Sequence, residues 1–140
     1  MNLSRNHLRS AVSIVFALVF ASCSSPSPED AAERAARAWL ETVDSGQYRA
    51  SWSQGAGLFQ HSLSASQWEQ SLRSARGSFG AVKSRTLKSA QYTTTLPGAP
   101  EGEYVVLRFE TRFDRRDLAT ETVTPMLENG AWKVSGYYIQ

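Results

Sequence analysis

The chain has 140 residues, and its 15 Lys and Arg residues against 13 Asp and Glu residues give a formal net charge of +2. This balance, with no dense basic run, disfavours nucleic acid as a partner, because proteins that bind nucleic acid carry a strong positive footprint. The length fits one domain with a sizeable core, and a single cysteine excludes a disulfide within the chain.

The first 22 residues have the layout of a secretory signal peptide. Arg5 and Arg9 give a positive start, residues 11–21 are an apolar run, and small residues follow. Eleven apolar residues are too few to span a bilayer, but they suit the hydrophobic part of a cleaved signal. We therefore predict that residues 1–22 are removed on export, which leaves 13 basic and 13 acidic residues in the remaining chain.

The segment Phe20-Ala21-Ser22-Cys23 resembles the lipid-attachment signal of bacterial lipoproteins. The resemblance implies cleavage before Cys23, a diacylglycerol on its thiol and an acylated amine, and two or three acyl chains anchor a protein stably to a membrane. Ser24-Ser25 follows without an aspartate, which in such proteins implies the outer membrane of the cell envelope, on its periplasmic side. The alternative is that Cys23 is a spare thiol close to a cleavage site.

A polar tether over residues 23–28 precedes the folded domain, which we place at residues 29–140. Ser27 is a suitable N-cap, and Pro28 suits the first position of a helix. Apolar side chains then recur at three- and four-residue spacing up to Gly46, which predicts an amphipathic helix. The apolar stripe consists of Ala32, Ala35, Ala36, Trp39, Leu40 and Val43.

Two further helices are predicted before residue 80. Tyr48 and Trp52 lie one turn apart in a short helix that ends at Gly55-Ala56-Gly57. Ser64 is the predicted N-cap of the third helix, with a glutamine at the capping-box spacing. The apolar face of that helix consists of Trp68, Leu72, Ala75 and Phe79.

From Val82 the hydrophobic period changes to two, which predicts strands at 82–95, 103–113, 119–128 and 131–139. Consecutive strands joined by turns form an antiparallel meander. We therefore predict an α+β domain, with about three helices packed on one face of a curved, cone-like sheet of four antiparallel strands.

Asn129-Gly130 is the strongest hairpin signal in the chain and fixes a register for the last two strands. A two-residue loop places Leu127 opposite Trp132, and opposed residues share a face. Pro125 cannot donate a ladder hydrogen bond, so it should lie at a bulge or an edge. The predicted core side of the hairpin is Val123, Pro125, Leu127, Trp132, Val134 and Tyr138, and the outer side is Thr122, Thr124, Met126, Lys133, Ser135 and Tyr137. On the preceding strand the predicted core residues are Val105, Leu107, Phe109 and Phe113.

Aromatic and turn residues are spread over most of the chain in a recognisable order. They are Ala38-Trp39-Leu40, Asp44-Ser45-Gly46-Gln47-Tyr48, Ser51-Trp52, Gln67-Trp68, Tyr92, the run from Leu96 to Val106, Glu121-Thr122-Val123-Thr124-Pro125 and the run from Trp132 to Ile139. Over about residues 31–139 they resemble the bacterial domain-of-unknown-function family 4019, which implies no particular chemistry. The order of helices and strands is also similar, more loosely, to the nuclear transport factor 2-like cone fold.

The residues offer little catalytic chemistry. His61 is the single histidine after residue 22, and with no cysteine or second histidine to join it we expect no metal site. The sequence contains no phosphate-binding or dinucleotide-binding motif, so we expect no cofactor.

Two sets of residues are candidates for a pocket. Glu121 and Tyr138 face each other across the predicted hairpin near a strand end, where they could transfer a proton as in ketosteroid isomerase-like members of the cone fold. The alternative is that Glu121 reaches water and Tyr138 only packs. The second set either lines an apolar ligand pocket or forms the core, and it consists of Trp39, Trp52, Phe59, Trp68 and Phe109.

The outer sheet face is the candidate interface, because Tyr104, Val106, Arg108 and Tyr137 mix the residue types that are enriched at protein interfaces. The alternative is an ordinary solvated face. We expect a non-enzymatic envelope lipoprotein that binds a protein partner or an apolar small ligand. The other readings are a cone-fold enzyme that uses the Glu121 carboxylate, and a purely structural component of the envelope.

Overall fold

A computed structural model describes residues 25–140 of the chain. The predicted signal segment, residues 1–22, and the predicted lipidation site, Cys23, lie outside the described residues, as does the first part of the tether. Within residues 25–140, no helix combines the length and the apolar character that crossing a membrane requires.

The described chain forms four helices followed by four strands, which confirms the predicted α+β class. The helices are α1 (Pro28–Asp44), α2 (Tyr48–Gln54), α3 (Gly57–Ser62) and α4 (Ala65–Arg76), and the strands are β1 (Val82–Thr93), β2 (Tyr104–Phe113), β3 (Arg116–Glu128) and β4 (Ala131–Ile139). The strands form one antiparallel sheet in the order β1-β2-β3-β4. The sheet is therefore a meander whose two edges are β1 and β4.

Local capping residues set the start of the two long helices, as predicted. The Ser27 hydroxyl accepts a hydrogen bond from the Asp30 backbone N–H at 3.1 Å, and Pro28 occupies the first turn of α1. Ser64 and Gln67 form a complete capping box at the start of α4. These side chains satisfy backbone donors that have no partner inside the helix.

Helix α3 is absent from the prediction, which treated residues 55–57 only as a break. Two long-range contacts hold this segment in place. The Ala56 N–H donates to the Val134 carbonyl on the edge strand β4 at 2.8 Å, and the Glu128 carboxylate accepts from the Gly57 N–H at 2.7 Å. Both partners lie more than 70 residues away in the chain, so local sequence patterns do not signal this helix.

The core lies between the helices and the inner face of the sheet. The predicted core residues of β2 are buried, and Trp132 and Val134 of β4 also pack on the core. The buried cluster consists of Ala32, Ala36, Trp39, Leu40, Val43, Phe59, Trp68, Leu72, Val105, Leu107, Phe109, Val123 and Val134.

The apolar face predicted for α4 is wrong at its C-terminal end. Trp68 and Leu72 are buried as expected, but Ala75 is exposed and Arg76 is buried in its place. The helix ends at Arg76, so Phe79 lies beyond it. A spacing of four residues from Trp68 through Leu72 leads to Arg76, which shows that this face continues into a buried charge.

The register of the last hairpin follows the prediction for half its length and then shifts by one residue. Leu127 pairs with Trp132, and Pro125 pairs with Val134, as expected. Between Thr124 and Pro125 the register shifts, so that Thr124 pairs with Gly136. This β-bulge beside Pro125 fits the prediction that the proline lies at a bulge or an edge.

The bulge reverses the predicted faces of the two tyrosines of β4. Beyond it Val123 pairs with Tyr137, and Thr122 pairs with Tyr138. Tyr138, predicted on the core side, is therefore on the outer face and 61 % exposed. Tyr137, predicted on the outer face, packs against the core instead. An extra residue in one strand moves every later side chain of that strand to the opposite face.

Tyr104 lies on the outer face, but the prediction that it is available there is wrong. Its side chain is fully buried, and its hydroxyl donates to the Pro100 carbonyl at 2.8 Å. The connection between β1 and β2 folds back over the ring, and an added Cβ at Gly102 would lie 3.3 Å from that ring. The β1–β2 connection therefore packs closely on the Tyr104 ring and covers this end of the outer face.

Candidate functional site

The polar centre of the molecule is Glu121, which projects from β3 into the interior and has no exposed surface. Sequence analysis placed Glu121 near a strand end, either opposite Tyr138 in a pocket or in contact with water, and both expectations are wrong. Arg85 donates from Nε to Glu121 Oε2 at 2.6 Å and from Nη2 to Oε1 at 3.2 Å. The Thr111 hydroxyl donates to Oε2 at 2.5 Å, and the Tyr137 hydroxyl donates to Oε1 at 2.6 Å. Each carboxylate oxygen therefore accepts two hydrogen bonds.

Arg85 connects this carboxylate to the helical layer. It lies on β1 opposite Thr111, whose side chain is buried, so the pairing directs both side chains inward. Its guanidinium also donates to Asp44, from Nη1 to Oδ2 at 2.8 Å and from Nη2 to Oδ1 at 3.1 Å. Burial by itself lowers the pKa of Arg85, but the hydrogen bonds that it donates to Asp44 and Glu121 outweigh burial and raise the pKa, so the side chain stays charged.

Asp44 is the last residue of α1, and two arginines share its carboxylate. Arg76 Nη2, from the end of α4, lies 2.8 Å from Asp44 Oδ1, and the Arg76 side chain is only 6 % exposed. Its guanidinium carbon also lies 5.1 Å from the centre of the Phe113 ring. A carboxylate is disfavoured at the C-terminus of a helix, where the helix dipole is negative. The two arginines offset that cost and fasten the ends of α1 and α4 to the sheet.

We call this set of residues the buried charge network. Two arginines balance two carboxylates, which is the arrangement that a buried group of charges requires. Within residues 25–140, Arg76 Nη1 is a buried atom of the network that lacks a hydrogen-bond partner. The members of the network are Asp44, Arg76, Arg85, Thr111, Glu121 and Tyr137.

Tyr137 joins the network to the aromatic core. Its ring centroid lies 5.6 Å from that of Trp39 and 6.0 Å from that of Trp68. Burial raises the pKa of the Tyr137 phenol, and the negative charge of Glu121 raises it further. The phenol therefore stays protonated and acts as a hydrogen-bond donor to Glu121.

The Glu121 carboxylate is enclosed by its own hydrogen-bond partners. Its two oxygens already accept four hydrogen bonds, and no part of the side chain reaches solvent. Tyr138, the predicted partner in proton transfer, is on the opposite face of the sheet. Among the residues that the structure describes, no group of three or more His, Cys, Asp or Glu side chains could hold a metal ion.

The aromatic residues proposed for a pocket pack against one another. Phe59, Trp68 and Phe109 are buried, and the rings of Phe59 and Trp68 meet edge to face with centroids 4.9 Å apart. Trp52 is half-buried and donates from Nε1 to the Leu63 carbonyl at 2.9 Å. Their rings fill the space between helices and sheet, as the core reading of these residues expects.

Apart from α3 beside β4, no helix of the described residues lies on the outer face of the sheet, which presents a row of side chains across all four strands. Ser89 pairs with Arg108, Arg108 with Thr122, and Thr122 with Tyr138. Arg108 is exposed and Val106 half-buried, so these two candidate interface residues lie on the accessible part of the face. Tyr138 takes the place that the prediction gave to Tyr137.

A cleft of about 370 Å³ opens beside the covered end of the outer face. The β1–β2 connection forms one wall, α3 forms another, and the bulge of β4 lies at the base. Its apolar lining includes Leu58, Leu96, Pro97 and Tyr104. Besides Tyr104, the lining of this cleft consists of residues that sequence analysis did not propose for a site.

Comparison with known families matches residues 35–137 to the model of a family described as "Protein of unknown function (DUF4019)". The chain belongs to this family. The match covers β1 to β3, β4 up to Tyr137 and the last ten residues of α1, so it includes every member of the buried charge network. No curated protein matches the chain.

Membership of this DUF4019 family confirms the resemblance found in the sequence, but it assigns no activity to any residue. Sequence analysis missed Asp44, Arg76, Arg85 and Thr111 as parts of a site. One signal was available for Arg76, which continues the spacing of Trp68 and Leu72. For Arg85, the pairing of β1 with β2 is needed to show that the side chain faces inward.

Proposed function

We propose that this protein is a non-enzymatic envelope lipoprotein and that its outer sheet face binds a protein partner. In this proposal the protein is exported, and acyl chains on Cys23 hold it on the periplasmic side of the outer membrane. One observation carries the binding role. Of the three large hydrophobic side chains exposed within residues 25–140, two lie on that face: Leu118, 53 % exposed, and Tyr138, 61 % exposed. Large apolar side chains that stay exposed on an otherwise uncovered face favour an interaction surface there.

The composition around these two residues supports the proposal. Arg108 lies in the same row as Tyr138, and Val106 and Met126 add half-buried apolar surface on the same side. Tyrosine and arginine are the residue types that most often dominate binding energy at protein interfaces. Helix α1 packs against all four strands on the other side of the sheet, and α3 reaches the outer face only beside β4, so most of this face is left open.

The buried charge network supports a non-enzymatic role. Proton transfer needs a carboxyl group within hydrogen-bond reach of a substrate. Glu121 is held by four hydrogen bonds beneath the helical layer, and its phenol partner is Tyr137, which is buried with it. A buried carboxylate held in this way fixes the positions of the surrounding helices and strands, which is a structural role.

The protein-binding role is tested by photo-crosslinking of the full chain in its native membrane. A photoreactive residue replaces Thr122 at the centre of the outer face, and the matched control replaces Arg34, which is exposed on α1. We expect one dominant protein adduct from position 122 that weakens in a Tyr138→Ala background, and no such adduct from position 34. The absence of any protein adduct at position 122 contradicts the proposal and favours a structural role.

A second candidate function is the binding of an apolar small ligand, which the cleft beside Tyr104 favours. Native mass spectrometry of the purified full chain tests it, with Leu96→Glu in the cleft and Leu118→Glu outside it as matched variants. A bound molecule lost only in Leu96→Glu supports the ligand role. A chain that carries no small molecule, or that keeps it in Leu96→Glu, contradicts this role.

The membrane anchor is tested separately by the intact mass of the membrane-extracted protein. We expect a chain that begins at Cys23 and carries added acyl chains, and we expect Cys23→Ser to remain uncleaved or to leave the membrane. A chain that begins elsewhere, or one without acyl mass, contradicts the anchor.

A further inference from the structure

The outer face carries positive charge that the protein itself does not neutralise. Six charged side chains lie on it, and four of them form pairs: Lys88 with Glu110 at 3.0 Å and Lys133 with Glu128 at 2.8 Å. Arg108 and Arg112 remain, both exposed, and within residues 25–140 neither has a carboxylate within 4.0 Å. The open face of the sheet therefore has a net charge of +2.

These two arginines have a defined spacing. They lie four residues apart on β2 and point to the same side, so their Cα atoms are separated by about 13 Å along the strand. An extended segment lying along β2 would present carboxylates at that separation from positions i and i+4. An arginine guanidinium binds a carboxylate through two parallel hydrogen bonds, which favours this pairing over a lysine contact.

An exposed apolar side chain lies on the same face as each arginine, within about two strands of it. Tyr138 is two strands away from Arg108 in the same row, at about 10 Å. Leu118 directly precedes Ala119, which pairs with Thr111, the neighbour of Arg112. Each end of the surface thus combines a charge with an apolar contact, which suits a partner that carries both acidic and apolar residues.

We propose that the outer face binds an extended, acidic segment of a partner protein, with carboxylates on Arg108 and Arg112 and apolar side chains on Leu118 and Tyr138. This inference rests on the proposed protein-binding function and specifies the chemistry of the partner. A second copy of this chain is disfavoured as the occupant, because two copies of the same positively charged face repel each other.

The experiment uses the full chain in its native membrane, with the photoreactive residue at position 122. The adduct is digested and the crosslinked segment is identified by mass spectrometry. The test variant is Arg108→Glu/Arg112→Glu, and the matched control is Arg34→Glu, an exposed arginine on α1. We expect the crosslinked segment to contain acidic residues four positions apart. We expect the adduct to fall about tenfold or more in the double variant and to stay unchanged in the control.

A synthetic peptide of the crosslinked segment gives the second measurement. Its binding to the full chain should weaken as salt rises, and exchange of its two acidic residues for lysine should abolish binding to the wild type and restore it to the double variant. The thermal unfolding midpoint of the double variant is compared with that of the wild type, and we expect the two to agree because the fold is intact.

Three results would overturn the inference. A protein adduct that the double charge reversal leaves unchanged refutes the acidic partner, although the protein-binding function survives. An adduct with a second copy of the chain, or with a lipid or glycan, identifies a different occupant. The absence of any adduct at position 122 refutes both the inference and the function on which it rests.

Discussion

The Tyr137 hydroxyl on β4 donates a hydrogen bond to Glu121 Oε1 on the neighbouring strand β3, at 2.6 Å. The contact exists because the β-bulge beside Pro125 turns Tyr137 inward. A regular hairpin would place Tyr138 on that side instead, and the buried carboxylate would face a different ring. One inserted residue in β4 therefore decides how a buried charge is satisfied.

Tyr137→Phe should destabilise the fold by about 1.5–3 kcal/mol. Hydrogen bonds to a charged group contribute in this range, and phenylalanine leaves Glu121 Oε1 buried with one donor fewer. The ring contacts with Trp39 and Trp68 remain, so packing changes little. Urea unfolding monitored by tryptophan fluorescence measures the change in the free energy of unfolding.

Tyr138→Phe is the matched control for that measurement. The two substitutions are chemically identical and adjacent in sequence, but the Tyr138 side chain is exposed. We expect its effect to stay within about 0.5 kcal/mol. If the larger loss occurs in Tyr138→Phe, the bulge is misplaced and the two tyrosines lie on the faces that a regular hairpin would give them.

Alkaline pH should destabilise the protein through Tyr137. Burial, and then the charge of Glu121, raise the pKa of this phenol above its ordinary value of about 10. A raised pKa means that the folded state holds the proton longer than the unfolded state. The stabilisation is therefore complete below about pH 10 and is lost as the pH rises toward the folded-state pKa, by about 1.4 kcal/mol per pH unit for one proton.

Tyr137→Phe isolates this effect from other groups that titrate at alkaline pH. The variant lacks the proton, so its free energy of unfolding should fall less steeply above about pH 10 than that of the wild type. The difference between the two proteins, measured by urea unfolding at several pH values, should become smaller as the pH rises. A constant difference up to pH 12 would contradict the assignment.

Arg85→Met should be among the most destabilising single substitutions in the chain, at about 3–5 kcal/mol. It removes one partner of a buried ion pair and leaves the fully buried Glu121 carboxylate without its neutralising charge. Lys88→Met on the same strand is the control, because it breaks an exposed pair with Glu110 that should contribute less than about 1 kcal/mol. Equal losses in the two variants would show that the network gives no more stability than a surface pair.

Much of the fold could be predicted because its signals are local. Ser27 and Pro28 mark the start of α1, the Ser64 capping box marks the start of α4, and Asn129-Gly130 sets the first pairs of the last hairpin. Each of these features acts within a few residues. They suffice to place three helices and four strands in the correct order.

The parts that could not be predicted depend on distant contacts. Helix α3 is held by Val134 and Glu128 from the other end of the chain. The bulge could be expected near Pro125, but the residue at which the register shifts could not, and the faces of Tyr137 and Tyr138 depend on it. The partners of Glu121 come from three other strands, so the candidate site became visible only once their pairing was known.

Glu128 should make stability depend on acidic pH. Its carboxylate accepts from Lys133 Nζ at 2.8 Å and from the Gly57 N–H at 2.7 Å. The hydrogen bond from Lys133, followed by that from Gly57, lowers the pKa of Glu128 below its ordinary value of about 4.3. A lowered pKa means that the unfolded state takes up the proton first as the pH falls. The contribution is therefore complete above about pH 4.3 and disappears as the pH falls through the folded-state pKa.

Glu128→Gln should accordingly cost about 1 kcal/mol at pH 7, since solvent screens this partly exposed ion pair. Below about pH 4 the difference from the wild type should shrink, because the wild-type carboxylate is then also losing its charge. Urea unfolding at pH 7, 5 and 3 measures this difference, and Glu101→Gln on the exposed β1–β2 connection is the control that should remain close to the wild type throughout. A loss in Glu128→Gln that stays the same at every pH would mean that Glu128 holds the start of α3 by shape and hydrogen bonding, independently of its charge.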